Sequence, residues 1–189
     1  YQNFILVLID DGSKDGTAEM VEIALSNLVV IKGVGKWWWA GSLQQGYEWL
    51  KKNKIRGNDV VLIMNDDTYM DADFIANGLD VIIRFPGTLL TATGYNVKTG
   101  IPQDTGGYRM NWEKLEFVEV KDPSEMNCSS TRGLMMHVKD FMDTKGFYPI
   151  LIPHYLSDIE FTMRAQKIGK KLMIHPDFKI GIDFETTGY

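Results

Sequence analysis

Cysteine, long apolar runs and excess basic charge are scarce or missing in this sequence of 189 residues, and each scarcity excludes a class of protein. One cysteine, Cys128, rules out an internal disulfide bond, so we expect a small buried thiol and a reducing compartment. No apolar run approaches the ~20 residues that a membrane-spanning helix needs. Basic residues number 20 against 25 acidic ones, so we expect no nucleic-acid partner.

The rest of the composition is that of an ordinary globular protein. Hydrophobic residues make up 44% of the sequence and charged residues 24%, with a net charge of -5. This balance is sufficient for a sizeable core, and neither an internal repeat nor a low-complexity segment interrupts it. We therefore predict one domain over residues 1–189.

Short apolar runs alternate with stretches of helical periodicity, which predicts an α/β fold. The predicted strands are residues 4–9, 28–31, 59–64, 88–93, 115–120, 134–137 and 171–174. The predicted helices are residues 17–26, 40–53, 71–84, 138–145 and 157–168. Strands that are joined through helices run in the same direction, so the sheet should be mainly parallel and flanked by helices.

Two of the predicted strands end in paired aspartates, Asp10 with Asp11 and Asp66 with Asp67. The carboxyl ends of parallel strands meet at one edge of a sheet, where ligands bind. We therefore expect these four carboxylates, together with Asp158, to face one cleft. Like charges gathered there cost free energy unless a divalent cation with its phosphates binds them. The alternative for each pair is an ordinary capped turn.

Two further stretches carry residues suited to chemistry. Residues 33–47 (GVGKWWWAGSLQQGY) contain three consecutive tryptophans, of which at least one should pack in the core and at least one should stay near the cleft. Lys36 faces either a phosphate or solvent. Asp158 falls in the first turn of a predicted helix, where a carboxylate is either a cap or a general base. Arg164, nearly two turns later, is expected to anchor that helix.

The chain resembles family 2 glycosyltransferases of the GT-A fold, most of all their bacterial rhamnosyltransferase-like branch, in five segments that follow the same order. The segments are DDGSKDGT, GKWWWAGSLQQGYEWL, LIMNDDT, TRGLMMHVKDFMDTKGFY and PHYLSDIEFTMRAQKIGKK. The resemblance implies an inverting enzyme of polysaccharide biosynthesis that uses Mg²⁺ or Mn²⁺. Its donor would be a dTDP- or UDP-sugar, and its acceptor a glycan or a lipid-linked molecule.

The resemblance also implies a role for individual residues. Asp158 would be the general base, and Asp67 would bind the metal within the DXD-type motif Asn65-Asp66-Asp67. The donor nucleotide would be held by Asp10, Asp11, Lys36 and Asp66. The acceptor side would be lined by Trp39, Thr131, Arg132 and Gly133. We further expect a cytoplasmic location with association of the parent protein at the inner membrane surface; the oligomeric state is not indicated.

Three positions depart from the family pattern. Ser157 stands for the first acid of the family's Glu-Asp pair, and Asn65 stands for the first aspartate of the DXD motif. Asp183 is the nearest polar residue where the family often has a metal-binding histidine. The family's first strand and helix would precede Tyr1, so we expect an N-terminally truncated domain.

Two other functions remain open at this point. One is a non-catalytic module of the same fold that binds nucleotide or glycan without turnover. The other is a phosphoacceptor signalling domain, which is also α/β and acidic, but has no place for the tryptophan cluster or the helix that carries Asp158.

Overall fold

The computed structural model describes residues 3–183 and 185, and the chain divides into two compact units. Unit 1 is built from Tyr1–Ile55 and Lys145–Ser157, and unit 2 from Arg56–Thr144 and Asp158–Tyr189. The α/β class is as predicted. That the chain forms one domain stays a prediction. No helix within the described range is both long and apolar enough to cross a bilayer.

The described part of unit 1 contains two strands and two helices. They are β1 (Leu6–Asp10), α1 (Thr17–Ala24), β2 (Leu28–Lys32) and α2 (Trp38–Lys52). The strands pair in parallel, from Leu6 opposite Leu28 to Asp10 opposite Lys32. Among the described residues β2 is the one strand that pairs with β1, and the side chains of β1 are mostly half-buried.

The segment Lys145–Ser157 returns to unit 1 and packs against α2. The N–H of Ala40 donates to the carbonyl of Pro153 (3.0 Å), and the N–H of Phe147 donates to Oε1 of Gln44 (2.7 Å). Gly146 has φ +64°, and a Cβ there would lie 2.8 Å from the Tyr47 ring. These contacts join a helix near the start of the chain to residues about one hundred positions later.

Unit 2 contains a six-stranded and a three-stranded sheet. Its strands are β3 (Val60–Ile63), β4 (Thr68–Tyr69), β5 (Thr88–Asn96), β6 (Pro102–Asp104), β7 (Gly107–Asn111), β8 (Glu116–Glu119), β9 (Cys128–Ser129), β10 (Leu134–His137) and β11 (Lys171–Ile182). Its helices are α3 (Phe74–Arg84), α4 (Val138–Thr144) and α5 (Ser157–Lys167), whose first residue belongs to unit 1. The larger sheet has the order β3-β10-β5-β11-β4 with β6 beside β5, and the smaller one the order β8-β7-β9.

The larger sheet is mixed, which corrects the expectation of a mainly parallel one. Strands β5 and β11 pair in parallel, whereas β10 runs antiparallel to both of its neighbours, β3 and β5. Helix α3 carries the chain from β3 to β5 in the same direction, as predicted. The long excursion between β5 and β10 then lets β10 enter between them from the opposite end, without a crossover helix.

The core of unit 2 lies between α3 and the larger sheet. Buried side chains from α3, β5, β10 and β11 form one cluster: Phe74, Val81, Ile82, Leu90, Ala92, Met135, Phe178 and Ile180. The rings of Phe74 and Phe178 stack with centroids 4.4 Å apart. Gly78 allows this close packing, because a Cβ there would lie 2.6 Å from the Phe178 ring.

Candidate active site

Asp10 ends β1 and is buried in unit 1. Its Oδ1 accepts a hydrogen bond from the N–H of Ser13 (2.7 Å). Hydrogen bonds from the backbone and side chain of Ser13 lower the pKa of Asp10, and the charge of Lys32 on β2 lowers it further. The carboxylate is therefore held ionised at neutral pH by its own turn.

Asp11 joins the turn after β1 to the loop after β2. Its Oδ1 accepts from the N–H groups of Gly35 (2.8 Å) and Lys36 (3.2 Å), and its Oδ2 accepts from that of Trp37 (2.6 Å). Burial alone would raise the pKa of Asp11, but these hydrogen bonds outweigh it and lower the pKa. Two adjacent aspartates thus each have a backbone partner in unit 1, and their contact with a nucleotide stays a prediction.

The tryptophan cluster occupies the entry to α2. Trp38 is 62% exposed and has φ +57°. The centroid of its ring lies 5.6 Å from the centroid of the His154 ring. Trp37 and Trp39 are half-buried, and Trp39 interacts with another residue of the protein. The Lys36 residue is exposed. The most exposed indole is therefore that of Trp38, and the place of Trp39 beside an acceptor stays a prediction.

In unit 2 the motif Asn65-Asp66-Asp67 forms the turn from β3 into β4. The Thr68 hydroxyl donates to the carbonyl of Asn65 (2.9 Å), which closes the turn. Asp66 is exposed. Oδ1 of Asn65 and Oδ1 of Asp67 are buried and have no hydrogen-bond partner. Asn65 therefore keeps a free oxygen, although the family pattern has a carboxylate there.

These two oxygens fit a hard divalent cation. Mg²⁺ and Mn²⁺ prefer oxygen ligands, and often take one or two protein carboxylates while water and substrate phosphates complete the shell. No group of three or more His, Cys, Asp or Glu suited to a metal occurs in the described part of the chain. Asp183 follows Ile182, which pairs with Thr68 beside Asp67, but its carboxylate lies 3.6 Å from Nζ of Lys98.

The turn Thr131-Arg132-Gly133 leads into β10 at the same end of the sheet as the Asn65–Asp67 turn, because Leu134 pairs with Ile63. Thr131 is 1% exposed. Gly133 has φ +69°, and a Cβ there would lie 2.8 Å from that of Ala92, so the backbone requires glycine. The backbone alone therefore explains the glycine at position 133, and the predicted contact of Gly133 with the acceptor is not needed to explain it.

Asp158 lies in the first turn of α5, beside that same turn. Burial raises the pKa of Asp158, while N–H groups of Ile159, Asp158 itself and Thr131, and the charge of Arg132, partly lower it. The N–H of Ile159 is 2.9 Å from its Oδ1. Unit 2 thus brings together Asp158, Thr131 and Arg132, and their roles in catalysis and acceptor binding stay a prediction.

Helix α5 is held by hydrogen bonds to β9 and to the end of α4. Ser129 of β9 donates its N–H to the Thr162 hydroxyl (3.0 Å). Arg164 makes two hydrogen bonds to Glu160 (2.7 and 2.8 Å) and donates to the carbonyl of Thr144 at the end of α4. The prediction that Arg164 anchors this helix is confirmed.

Cys128 is buried, and burial raises the pKa of its thiol to about 12. The thiol is therefore protonated at neutral pH, and a thiolate nucleophile is excluded at this position. The expectation of a small buried side chain is confirmed.

Sequence reasoning missed that the Asp11 carboxylate holds the backbone of the loop after β2 by accepting hydrogen bonds from its N–H groups. The signal was present in two glycines after β2. A Cβ on Gly33 would lie 2.3 Å from Oδ1 of Asp11, and Gly35 has φ +77°. Because Asp10 and Asp11 belong to unit 1 and Asp66, Asp67 and Asp158 to unit 2, their meeting in one cleft stays a prediction.

Many solved structures share this fold, and three of them illustrate it. They are GalNAc-T7 with UDP, GalNAc and Mn²⁺ (16% identity, TM-score 0.72), the mannosyltransferase PcManGT from Pyrobaculum calidifontis with GDP-Man and Mn²⁺ (14%, 0.65), and S. aureus TarS 1–349 (19%, 0.64). The matches cover 94%, 98% and 95% of this chain, but 37%, 49% and 51% of those chains, in the same order. The chain thus spans about a third to a half of their length.

Comparison by sequence gives a family but no individual relative. A search of curated proteins finds no match. The sequence model of glycosyl transferase family 2 matches residues 1–141, which is most of the chain. Together with the GT-A architecture, this match shows that the chain belongs to glycosyl transferase family 2.

Proposed function

We propose that the protein transfers a sugar from a nucleoside-diphosphate donor to a hydroxyl of a glycan or lipid-linked acceptor, with inversion at the anomeric carbon. Family membership supports transfer of a sugar. Two of the similar structures contain UDP or GDP-Man together with Mn²⁺, which supports a nucleotide-sugar donor. In this proposal the donor is a dTDP- or UDP-sugar, and the protein belongs to the bacterial rhamnosyltransferase-like branch and acts in polysaccharide biosynthesis.

The observation that carries the proposal is the environment of Asp158. Its carboxylate is partly buried, its pKa is raised, and backbone N–H groups fix its position. A positioned carboxylate with a raised pKa accepts a proton readily from an attacking hydroxyl. Attack on the face opposite the leaving group then inverts the anomeric carbon in one displacement, without a covalent enzyme intermediate.

Asn65 and Asp67 would hold the divalent cation through their unpartnered oxygens. When bound, such an ion offsets the negative charge of the departing diphosphate. In the same proposal Asp10, Asp11, Asp66 and Lys36 bind the donor. The acceptor is bound by Trp39, Thr131 and the backbone at Gly133, and the parent protein works in the cytoplasm at the inner membrane surface.

A transfer assay combined with calorimetry tests the proposal. Radiolabelled dTDP- and UDP-sugars are incubated with Mn²⁺ and glycan or lipid-linked acceptors, and labelled product is separated from donor. We expect incorporation of label and saturable binding of the corresponding nucleoside diphosphate. Binding without transfer or donor hydrolysis would favour the alternative, a non-catalytic nucleotide-binding module of this fold.

A further inference from the structure

We infer that Arg132 binds the phosphate groups of the nucleoside-diphosphate donor. The inference rests on the proposed function, and it moves Arg132 from the acceptor side, which the family resemblance implies, to the donor side. A few polar side-chain atoms are buried in this fold without a hydrogen-bond partner. Such atoms cost free energy unless a ligand supplies the missing hydrogen bond or charge.

Across the described residues, four side-chain polar atoms are buried without a partner: Oδ1 of Asn65, Oδ1 of Asp67, Oγ1 of Thr88 and Nε of Arg132. Three of them lie at one end of the larger sheet. Arg132 is two residues before Leu134 and Asn65 is two residues after Ile63, and Leu134 pairs with Ile63. The fourth atom lies elsewhere. Leu134 pairs with Thr91 of β5, and Thr88 is three residues before Thr91, toward the opposite end of the β10–β5 ladder.

The backbone that carries Arg132 is fixed on both sides. The N–H of Ser130 donates to the carbonyl of Gly106 (3.1 Å), and the carbonyl of Gly133 accepts from the N–H of Ala92 (3.0 Å). Gly133 cannot be replaced without meeting the Ala92 side chain. The backbone position of Arg132 is therefore set by the neighbouring strands rather than by a loose loop.

Charge then indicates the kind of ligand. Arg132 is half-buried and forms no ion pair with any described residue, although Asp158 is close enough for the arginine charge to act on it. A partly buried guanidinium whose Nε–H has no acceptor calls for an anion, and its planar N–H donors match phosphate oxygens. A hydroxyl of the acceptor would take one hydrogen bond but carries no negative charge to pair with the guanidinium.

A single ligand satisfies all three atoms. The oxygens of Asn65 and Asp67 need a donor or a cation, and the Nε–H of Arg132 needs an acceptor. A diphosphate with its divalent cation supplies both polarities at once, whereas a neutral sugar does not. Arg132 then stabilises the charge that collects on the departing diphosphate.

Isothermal titration calorimetry on the protein and its variants tests this role. UDP, dTDP and GDP, and the matching nucleosides, are titrated with Mn²⁺ and again with a chelator. Arg132→Gln should bind each bound nucleoside diphosphate about 10- to 100-fold more weakly, the range for one charge-assisted contact. Nucleoside affinity should not change, and the loss should persist with chelator. Arg109→Gln, which removes an exposed arginine paired with Glu125, is the matched control.

Equal diphosphate affinity in Arg132→Gln and the unchanged protein would overturn the inference and leave the proposed function standing. An equal loss for nucleosides would also overturn it, since the contact would not be to phosphate. Absence of all diphosphate binding by the unchanged protein would overturn the proposed function, and this inference with it. If Arg132→Gln does not fold, Arg132→Met decides, because it keeps an apolar stem of similar length without the charge; unaltered diphosphate affinity there overturns the inference.

Discussion

At the scale of single residues, Asp158 is subject to opposing influences. Burial favours its protonated form, while backbone N–H groups and Arg132 favour the carboxylate. The net effect is a raised pKa, so the carboxylate is a stronger base than an exposed aspartate. Two roles are open to the Asp158 carboxylate. A helix cap needs only an oxygen that accepts a hydrogen bond, whereas a general base must take up a proton.

Asp158→Asn distinguishes these roles. Asparagine keeps the shape and one acceptor oxygen but cannot accept the hydroxyl proton, so turnover in the active parent should fall about 10²- to 10⁴-fold while donor binding stays nearly intact. Initial transfer rates and calorimetry measure the two effects. A variant that retains more than about a tenth of the turnover, above the range for loss of a base, would contradict the assignment.

The same residue gives a pH-dependent effect on stability. Because its pKa is raised in the fold, Asp158 binds more protons folded than unfolded between the unfolded value of 3.8 and the raised value. Its contribution to stability therefore falls as pH rises through that window. We expect Asp158→Asn to melt higher than the unchanged protein at pH 7, by a margin that shrinks toward pH 4. Calorimetric melting at several pH values measures it, and a margin independent of pH would refute it.

Asp67 provides the corresponding test for the metal. Asp67→Ala removes one of the two unpartnered oxygens, which leaves too few hard ligands to hold Mg²⁺ or Mn²⁺ against water. Nucleoside diphosphate binding should then no longer respond to the ion. Titrations with Mn²⁺ and with chelator measure this, and Asp80→Ala, which removes an exposed aspartate paired with Arg84, is the control. An ion effect as large as in the unchanged protein would count against the site.

At the scale of elements, the sequence predicted best what local pattern decides. Strand β10 has the predicted bounds, and α5 differs only at its last residue. Strand β11 was predicted to stop at Ile174, where Pro176 breaks the pattern, but pairing with β5 resumes at Lys179 after a shift of register. The shift depends on the neighbouring strand, so local pattern could not show it.

The candidate site follows the same division. The acidic turn Asn65–Asp67 was predictable from an apolar run that ends in acid, and the place of Asp158 in the first turn of α5 was predictable from the helical pattern. The burial of the Asn65 oxygen and the free Nε of Arg132 were not, because both depend on the insertion of β10 beside β3. Tertiary pairing decides which polar atoms are left for a ligand.

The contact between two turns in unit 1 can be broken from either side. Asp11→Ala removes three backbone partners, and Gly33→Ala places a Cβ 2.3 Å from the same carboxylate. Both should lower stability by about 1–3 kcal/mol, or about 2–4 °C in Tm for each kcal/mol. Thermal melting measures the change.

The two substitutions act on one contact, so their combination should cost less than the sum of the separate losses. Gly57→Ala, where the nearest atom is 3.2 Å away on the Lys139 side chain, serves as the control in unit 2. Strictly additive losses would show that Gly33 and Asp11 act independently.

At the scale of the whole molecule, the two units differ in how they are stabilised. Unit 1 holds a two-stranded sheet whose first strand is mostly half-buried, whereas β5 and β11 lie inside a six-stranded sheet over a buried cluster. Two-stranded sheets are marginal alone.

We therefore expect amide protons of β1 and β2 to exchange faster than those of β5 and β11. Hydrogen exchange followed by mass spectrometry on peptides from each strand measures this. Equal protection in both sets would mean that the units open together.

The return of Lys145–Ser157 to α2 has a consequence for synthesis on the ribosome. Residues 56–144 are made after α2 and before the segment that packs on it. At ~5–20 residues per second, α2 waits roughly 4–18 s with Gln44 and Tyr47 uncovered. Unit 2 is interrupted by the same segment, since α5 and β11 come later still. Unit 1 therefore cannot finish folding before residues 56–144 of unit 2 are made, and unit 2 cannot finish folding before the last segment of unit 1 is made.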